Sequence, residues 1–126
     1  METPAETLEE AKARRLAELN AAHEAAEADA HVMSSLGFEV DANERANRDV
    51  EGLLKTMRAG ETVAFCDYTN VFHQLTREQL ATLQVEIIQN AQALYSQKWA
   101  LRTAIGGAVS AEEVDAITIG FAHLTF

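Results

Sequence analysis

The chain has 126 residues, a single cysteine and a formal net charge of −10, with an isoelectric point near 4.7. That length suits one domain with at most an extension, and a lone cysteine excludes an internal disulfide. The acidity argues against nucleic acid and anionic membranes as partners, because phosphate binding needs clustered Lys and Arg, and no apolar run reaches the roughly 20 residues of a membrane span.

Met1-Glu2-Thr3-Pro4 has no basic stretch leading into an apolar core, so no signal peptide is expected and the product is expected to be soluble and intracellular, or assembled into a particle inside the cell. Thr3-Pro4-Ala5-Glu6 has the form of a helix start, with a cap residue, proline at the first helical position and a glutamate three after the cap. An Ala/Glu-rich helix is predicted from there to about Met33. Within it Leu16, Leu19, His23, Ala26, Ala30 and Met33 follow the 3-4-3-4-3 spacing of a coiled-coil seam. Such a helix either packs one face on its own domain or self-associates. The alanines make the seam shallow, and His23 reads as a tolerated polar core position rather than a pH switch. This reading divides the chain into a helical extension, residues 1–34, and a compact α+β domain, residues 35–126.

Ser34-Ser35-Leu36-Gly37 ends the helix, and Phe38-Glu39-Val40 alternates as a short strand that could join a later hairpin. Asp41 is placed as the cap of a second helix, with Glu44 at the capping-box position and a buried stripe of Ala46, Val50, Leu53, Leu54 and Met57. Arg58-Ala59-Gly60 then turns the chain into a hairpin. In it Val63 and Phe65 lead into a turn bounded by Asp67 and Asn70, and Val71 and Phe72 resume the strand. With Tyr68 and Thr69 at the tip, Phe65 would face Phe72, Cys66 would face Val71, and Cys66 would share a face with His73. Thr76-Arg77-Glu78-Gln79 fits a capping box, with Leu75 and Leu80 as its hydrophobic staple. A long helix follows with a buried stripe of Leu80, Leu83, Ile87, Ala91, Leu94, Leu101 and Ile105, ended by Gly106-Gly107. Ile88, Tyr95 and Trp99 widen that stripe and predict a second helix packed on them. Ser110-Ala111-Glu112-Glu113 starts a short helix with Val109 and Val114 as staple, ending near Ile117. The tail that follows is apolar, and Phe121, Leu124 and Phe126 are expected to be tied down on the core or in a partner. The fold class is therefore α+β, mainly helical.

No residue set converges on chemistry. A Cys66–His73 pair lacks the orienting third group of a thiolate nucleophile. The histidines and the cysteine, at positions 23, 31, 66, 73 and 123, have no zinc-ligand spacing. Asp41 and Asn43 lack the glycine and downstream glutamate of a calcium loop, and Gly106-Gly107 follows a helix where a phosphate loop would precede one. No cofactor or metal is expected, and an enzyme is the least favoured class.

Several short motifs carry a resemblance. They are Phe38-Glu39-Val40-Asp41-Ala42, then Asn47 and Glu51-Gly52-Leu53-Leu54, then Phe65 two before Asp67 with Asn70 after it. Leu75-Thr76, Gln79-Leu80 and Gln92-Ala93-Leu94-Tyr95 running to Trp99 and Ile105 complete them. In this order, over about Phe38 to Ile117, the chain resembles an uncharacterised domain of tail-fibre and tail-fibre-assembly proteins of tailed bacteriophages. It departs at Phe65, where that family more often has tryptophan, and at Tyr68-Thr69-Asn70, where a second aspartate is usual, so no role of a two-aspartate turn carries over. The resemblance implies association with a tail fibre or other tail protein, as a fibre-assembly chaperone or as a self-associating subunit retained in the virion. It places the protein in the host bacterial cytoplasm during assembly, or in the virion tail, and by analogy with fibres suggests a homotrimer. It brings no catalytic residues. From the residues alone, an acidic regulatory or inhibitory protein that mimics nucleic acid is the other candidate class. The mixed-in Lys12, Arg14 and Arg15 weigh against it.

Overall fold

In a computed structural model, which describes residues 5–126, the elements run α1 (Leu8–Ala28), β1 (His31–Met33), β2 (Glu39–Asp41), α2 (Glu44–Thr56), β3 (Thr62–Cys66), β4 (Phe72–Thr76), α3 (Arg77–Gly107) and α4 (Ala111–Ala116). The fold is α+β and mainly helical, as expected. The proposed helix start at Thr3-Pro4 lies outside the described residues; within them Thr7 caps α1 by accepting from the Glu10 amide.

The long helix α3 is the element against which the others are laid. Its entry is as the sequence predicts: Thr76 Oγ1 accepts from the Gln79 amide, the Gln79 side chain accepts from the Thr76 amide, and Leu75 and Leu80 are both buried. Leu80, Leu83, Ile87 and Leu94 then join Val32, Val40, Val50 and Leu75 in the main core. The partly buried residues of α2, Ala46, Leu53, Leu54 and Met57, pack on the same cluster with Val63 and Phe65 from the hairpin. A smaller cluster of Ala11, Ala108 and Val114, flanked by Leu8 and Ala111, joins the start of α1 to α4.

Sequence expectations are corrected at several points. First, α1 ends at Ala28, with Asp29 as its C-cap, and His31–Met33 is a strand paired with β2 in the register Val32↔Val40. The helical seam therefore stops short of Ala30 and Met33: Ala30 is buried in the core as part of the link to the strand, and Met33 is exposed on β1. Leu19 and His23 are buried, with Leu16 and Ala26 partly so, on the α1 face that packs against α3. Second, the chain packs across residue 34. β1 pairs across it, and Ala26, Ala30 and Val32 share one core with the rest. Third, β2 pairs with β1 rather than extending the β3–β4 hairpin, and this moves Asp41 into a strand. Asn43 caps α2 instead, accepting from the Ala46 amide. Fourth, the second helix expected beside Ile88, Tyr95 and Trp99 covers them only in part: the α1 residue His23 stands 4.5 Å from Tyr95, yet the three stay 39%, 41% and 58% exposed. The buried face of α3 widens the other way, through Glu86 and Asn90. At the start of α4, Ser110 caps as expected, whereas Val109 is exposed and makes no staple with the buried Val114.

The three basic residues of α1 fasten it to the far end of the chain. Lys12 Nζ donates to the Gly106 carbonyl (2.8 Å), where a cation suits the orphan acceptors of a helix end. Arg14 bridges Glu6 and Asp115; the two acids raise its pKa, and its hydrogen bond in turn lowers that of Glu6. Arg15 donates to the Ile117 carbonyl. The mixed charge of this helix is thus a set of ties between α1, the end of α3 and α4.

Candidate functional site

The two hairpins share one turn geometry. In the first, Ser34 N–H donates to Phe38 O, Gly37 N–H donates to Ser34 O, and Gly37 has φ +97°. In the second, Asp67 N–H donates to Val71 O, Asn70 N–H donates to Asp67 O, and Asn70 has φ +66°. Each is a turn closed by one left-handed residue, a role that glycine and asparagine tolerate best. The left-handed Asn70 puts one more residue in the loop than a two-residue tip allows. The register therefore moves by one: Cys66 pairs with Phe72 and Phe65 with His73. Phe65 and His73 face inward; Cys66 and Phe72 face out. The predicted Phe65–Phe72 pair and the shared face of Cys66 and His73 are both absent for this reason.

Asp67 is the polar centre of the second turn. Its carboxylate is buried, 7% exposed, and Oδ1 accepts from the Thr69 amide, the Thr69 hydroxyl and the Val71 amide. Oδ2 lies 2.8 Å from His73 Nε2, and the His73 ring stacks on Phe38 at 3.8 Å. The His73 bond first, then the Val71 amide and the Thr69 donors, lowers the Asp67 pKa to about 2. The folded value lies below the ordinary one of about 3.9, so this contribution to stability is complete above about pH 4 and lost as pH falls through about 2. Thermal melts of Asp67→Asn should show lower stability than the parent at neutral pH and a shallower fall between about pH 5 and about pH 2. Parallel acid limbs in the two proteins would show that the turn does not depend on this charge.

At the apex, Tyr68, Val71 and Phe72 are 45%, 53% and 70% exposed. The tip is braced from below: the Tyr68 amide donates to Glu39 O (2.8 Å), and its ring stacks on His31, which in turn contacts Glu39 Oε1 at 2.8 Å. β3 and β4 form a two-stranded sheet with Thr76 closing the β4 end into α3. The hairpin residues singled out from sequence therefore divide. Phe65, Asp67 and Thr76 are structural, Asn70 sets the register, and Phe72 alone faces outward. Cys66 is exposed beside it.

The tail docks in cis. Leu124 N–H donates to Asn90 Oδ1 (2.8 Å), Gln97 both donates to and accepts from the Ala122 backbone, and Phe126 N–H donates to Met33 O. With Asn90 Oδ1 committed as acceptor, its Nδ2 is the donor to His123 Nδ1, which must be unprotonated. Burial and the neighbouring His31 both lower the His123 pKa, in keeping with that state. Phe121 packs on the core and lies 5.7 Å from His23, whose other aromatic neighbour is Tyr95. Leu124 is partly buried and Phe126 is 38% exposed, so Phe121 and Leu124 are part of this chain's own fold rather than a free tail for a partner. Glu86, Asn90 and Gln97 were not singled out from sequence. They form a polar stripe at i, i+4 and i+11 beside the apolar one, and that spacing is the signal that could have found them. Glu86 accepts from the Ser34 hydroxyl and the Ser35 amide, closing the first hairpin turn onto α3.

Among the described residues, no group of three His, Cys, Asp or Glu stands close enough to hold a metal ion, and no helix is long and apolar enough to cross a membrane. Exposed apolar side chains gather at the apex of the β3–β4 hairpin and on the outer face of α3, with Val109 exposed by itself before α4. Neither the curated proteins nor the solved structures include a match to this chain. One family profile does match, over residues 10–118, from early α1 to just beyond α4. The chain belongs to the family described as a domain of unknown function, DUF4376.

Proposed function

We propose that this protein is a binding module of a phage or prophage tail that docks on a tail-fibre or other tail protein and assists fibre assembly or attachment. The observation that carries this reading is the braced hairpin apex, where Val71 and the largely exposed Phe72 stand together on a turn held by the buried Asp67. Covering a phenylalanine is worth about 2 kcal/mol, and a rigid presentation lets binding proceed without first ordering a loop. A contiguous apolar tip of this kind suits a protein partner better than a small substrate. The motif order from Phe38 to Ile117 is what ties the partner to phage tails. In this reading the protein acts in the host bacterial cytoplasm during assembly.

The test is co-expression with the fibre protein encoded beside it, followed by pull-down. The parent should retain the fibre, Phe72→Asp should lose most of it, and Val109→Asp, at another exposed apolar site, should behave as the parent. No complex with the parent protein would overturn the reading. The exposed face of α3 favours a second one, a self-associating subunit retained in the particle; that protein would be found in purified virions, whereas a transient chaperone would be absent.

A further inference from the structure

We infer that the outer face of α3 is a dimerisation seam on which a second copy of this chain lays its own α3 antiparallel. Ala81, Val85, Ile88, Gln92, Tyr95, Trp99 and Arg102 are all exposed and recur at 4-3-4-3-4-3, the 3.5-residue period of a coiled-coil seam. Four of them are large and apolar, Val85, Ile88, Tyr95 and Trp99, with Val85 53% exposed. Tyr95 leans on His23 of α1 at 4.5 Å, and beyond that contact a second apolar stripe of this regularity is left facing solvent on a helix otherwise packed on its own domain.

Charge and size along the stripe select the occupant. A two-fold axis between Ile88 and Gln92 sets Val85 against the mate's Tyr95 and Ile88 against its Gln92. The same axis sets the small Ala81 against the bulky Trp99. At each end it brings Glu78, exposed in the first turn of α3, against Arg102 of the other copy. Large meets small in the Ala81–Trp99 layers, and acid meets base at both ends. A parallel pair or trimer would instead stack Trp99 on Trp99 and Arg102 on Arg102, placing like charges together. Sliding the antiparallel pair by one heptad would set Arg102 on Val85. Of the flanking positions, Thr82, Gln84, Gln89, Ala91, Ser96 and Thr103 carry no charge, and the one charged residue, Lys98, falls opposite the mate's uncharged Thr82 and Gln84. Self-association, expected from the α1 seam, is thereby assigned to a different helix, since the α1 face is occupied by α3. The inference is independent of the hairpin reading: a monomer can bind a fibre protein, and a dimer need not.

The experiment is sedimentation equilibrium on the full chain from micromolar to hundreds of micromolar concentration. A reversible dimer, twice the 13.8 kDa chain mass, is expected. Ile88→Glu should be monomeric with an unchanged circular dichroism spectrum. Glu78→Arg and Arg102→Glu should each weaken the dimer by about tenfold, because the two-fold axis repeats the repulsion, and the double variant should restore it. A parent that stays monomeric throughout, or that forms a trimer, overturns the inference, as does a double variant no better than the single ones. Fibre pull-down by Ile88→Glu tells the two readings apart, because it is expected to persist when the dimer is lost.

Discussion

Leu94→Ala is expected to lower the unfolding free energy by about 2–5 kcal/mol, the range for deleting a fully buried leucine. Leu94 has no exposed surface and sits in the main core with Leu83, Ile87, Val32 and Val40. The loss combines the transfer energy of the missing carbons with the cavity left between α3 and what packs on it. Domains of this size are held by about 5–15 kcal/mol, so the variant should remain folded at room temperature with little reserve. Urea unfolding followed by far-ultraviolet circular dichroism, at one fixed protein concentration, measures it. A loss under about 1 kcal/mol would mean that the α3 stripe does not close the core as described.

Asn90→Ala should act more locally. The change removes the acceptor for Leu124 N–H and the donor to His123 Nδ1 at a fully buried site, leaving polar groups unpaired at a cost of about 1–3 kcal/mol. The sign is clearest in amide exchange: Leu124 and Phe126 should exchange roughly tenfold to a hundredfold faster, while amides in the middle of α3 change less. The parent protein should show a related dependence on pH. Because the folded pKa of His123 is lowered, its contribution is present above the ordinary histidine value of about 6.5 and lost as pH falls through the folded value. Tail protection should therefore decline on mild acidification. In Asn90→Ala that decline should be smaller, since the bond that requires a neutral Nδ1 is already gone. Equal protection of the tail in parent and variant would show that the contacts at Gln97 and Met33 hold it unaided.

Legibility in the sequence followed the range of the interaction. Helix starts at Thr76 and Ser110 were readable because their caps and partners lie within four residues. The apolar stripe of α3 was readable because one period covers it. The end of α1 was missed because alanine-rich composition favours helix through Met33, while the pairing of Val32 with Val40 supplies a tertiary reason for a strand there. The hairpin register turned on one backbone angle at Asn70, and with it went the place of His73 beside Asp67. Leu16, Leu19, His23 and Ala26 share a face of α1, yet periodicity marks a face without naming what covers it. Glu86, Asn90 and Gln97 went unnoticed because Ser34, Leu124 and Ala122 lie 25 to 52 positions away.

The ties at Lys12, Arg14 and Arg15 have a consequence for how the chain is made. Their partners Gly106, Asp115 and Ile117 lie 94, 101 and 102 residues downstream. At a synthesis rate of about 5–20 residues per second, α1 leaves the ribosome some 5–20 seconds before the partners of these three ties. Long-range closure of this kind is slow, and exposed apolar surface during the wait invites aggregation. Here α1 fully buries only Ala11, Leu19 and His23, and the remainder is largely alanine and charge. The shallow face that α1 turns to α3 therefore leaves the nascent segment little apolar surface to aggregate through before its partners emerge.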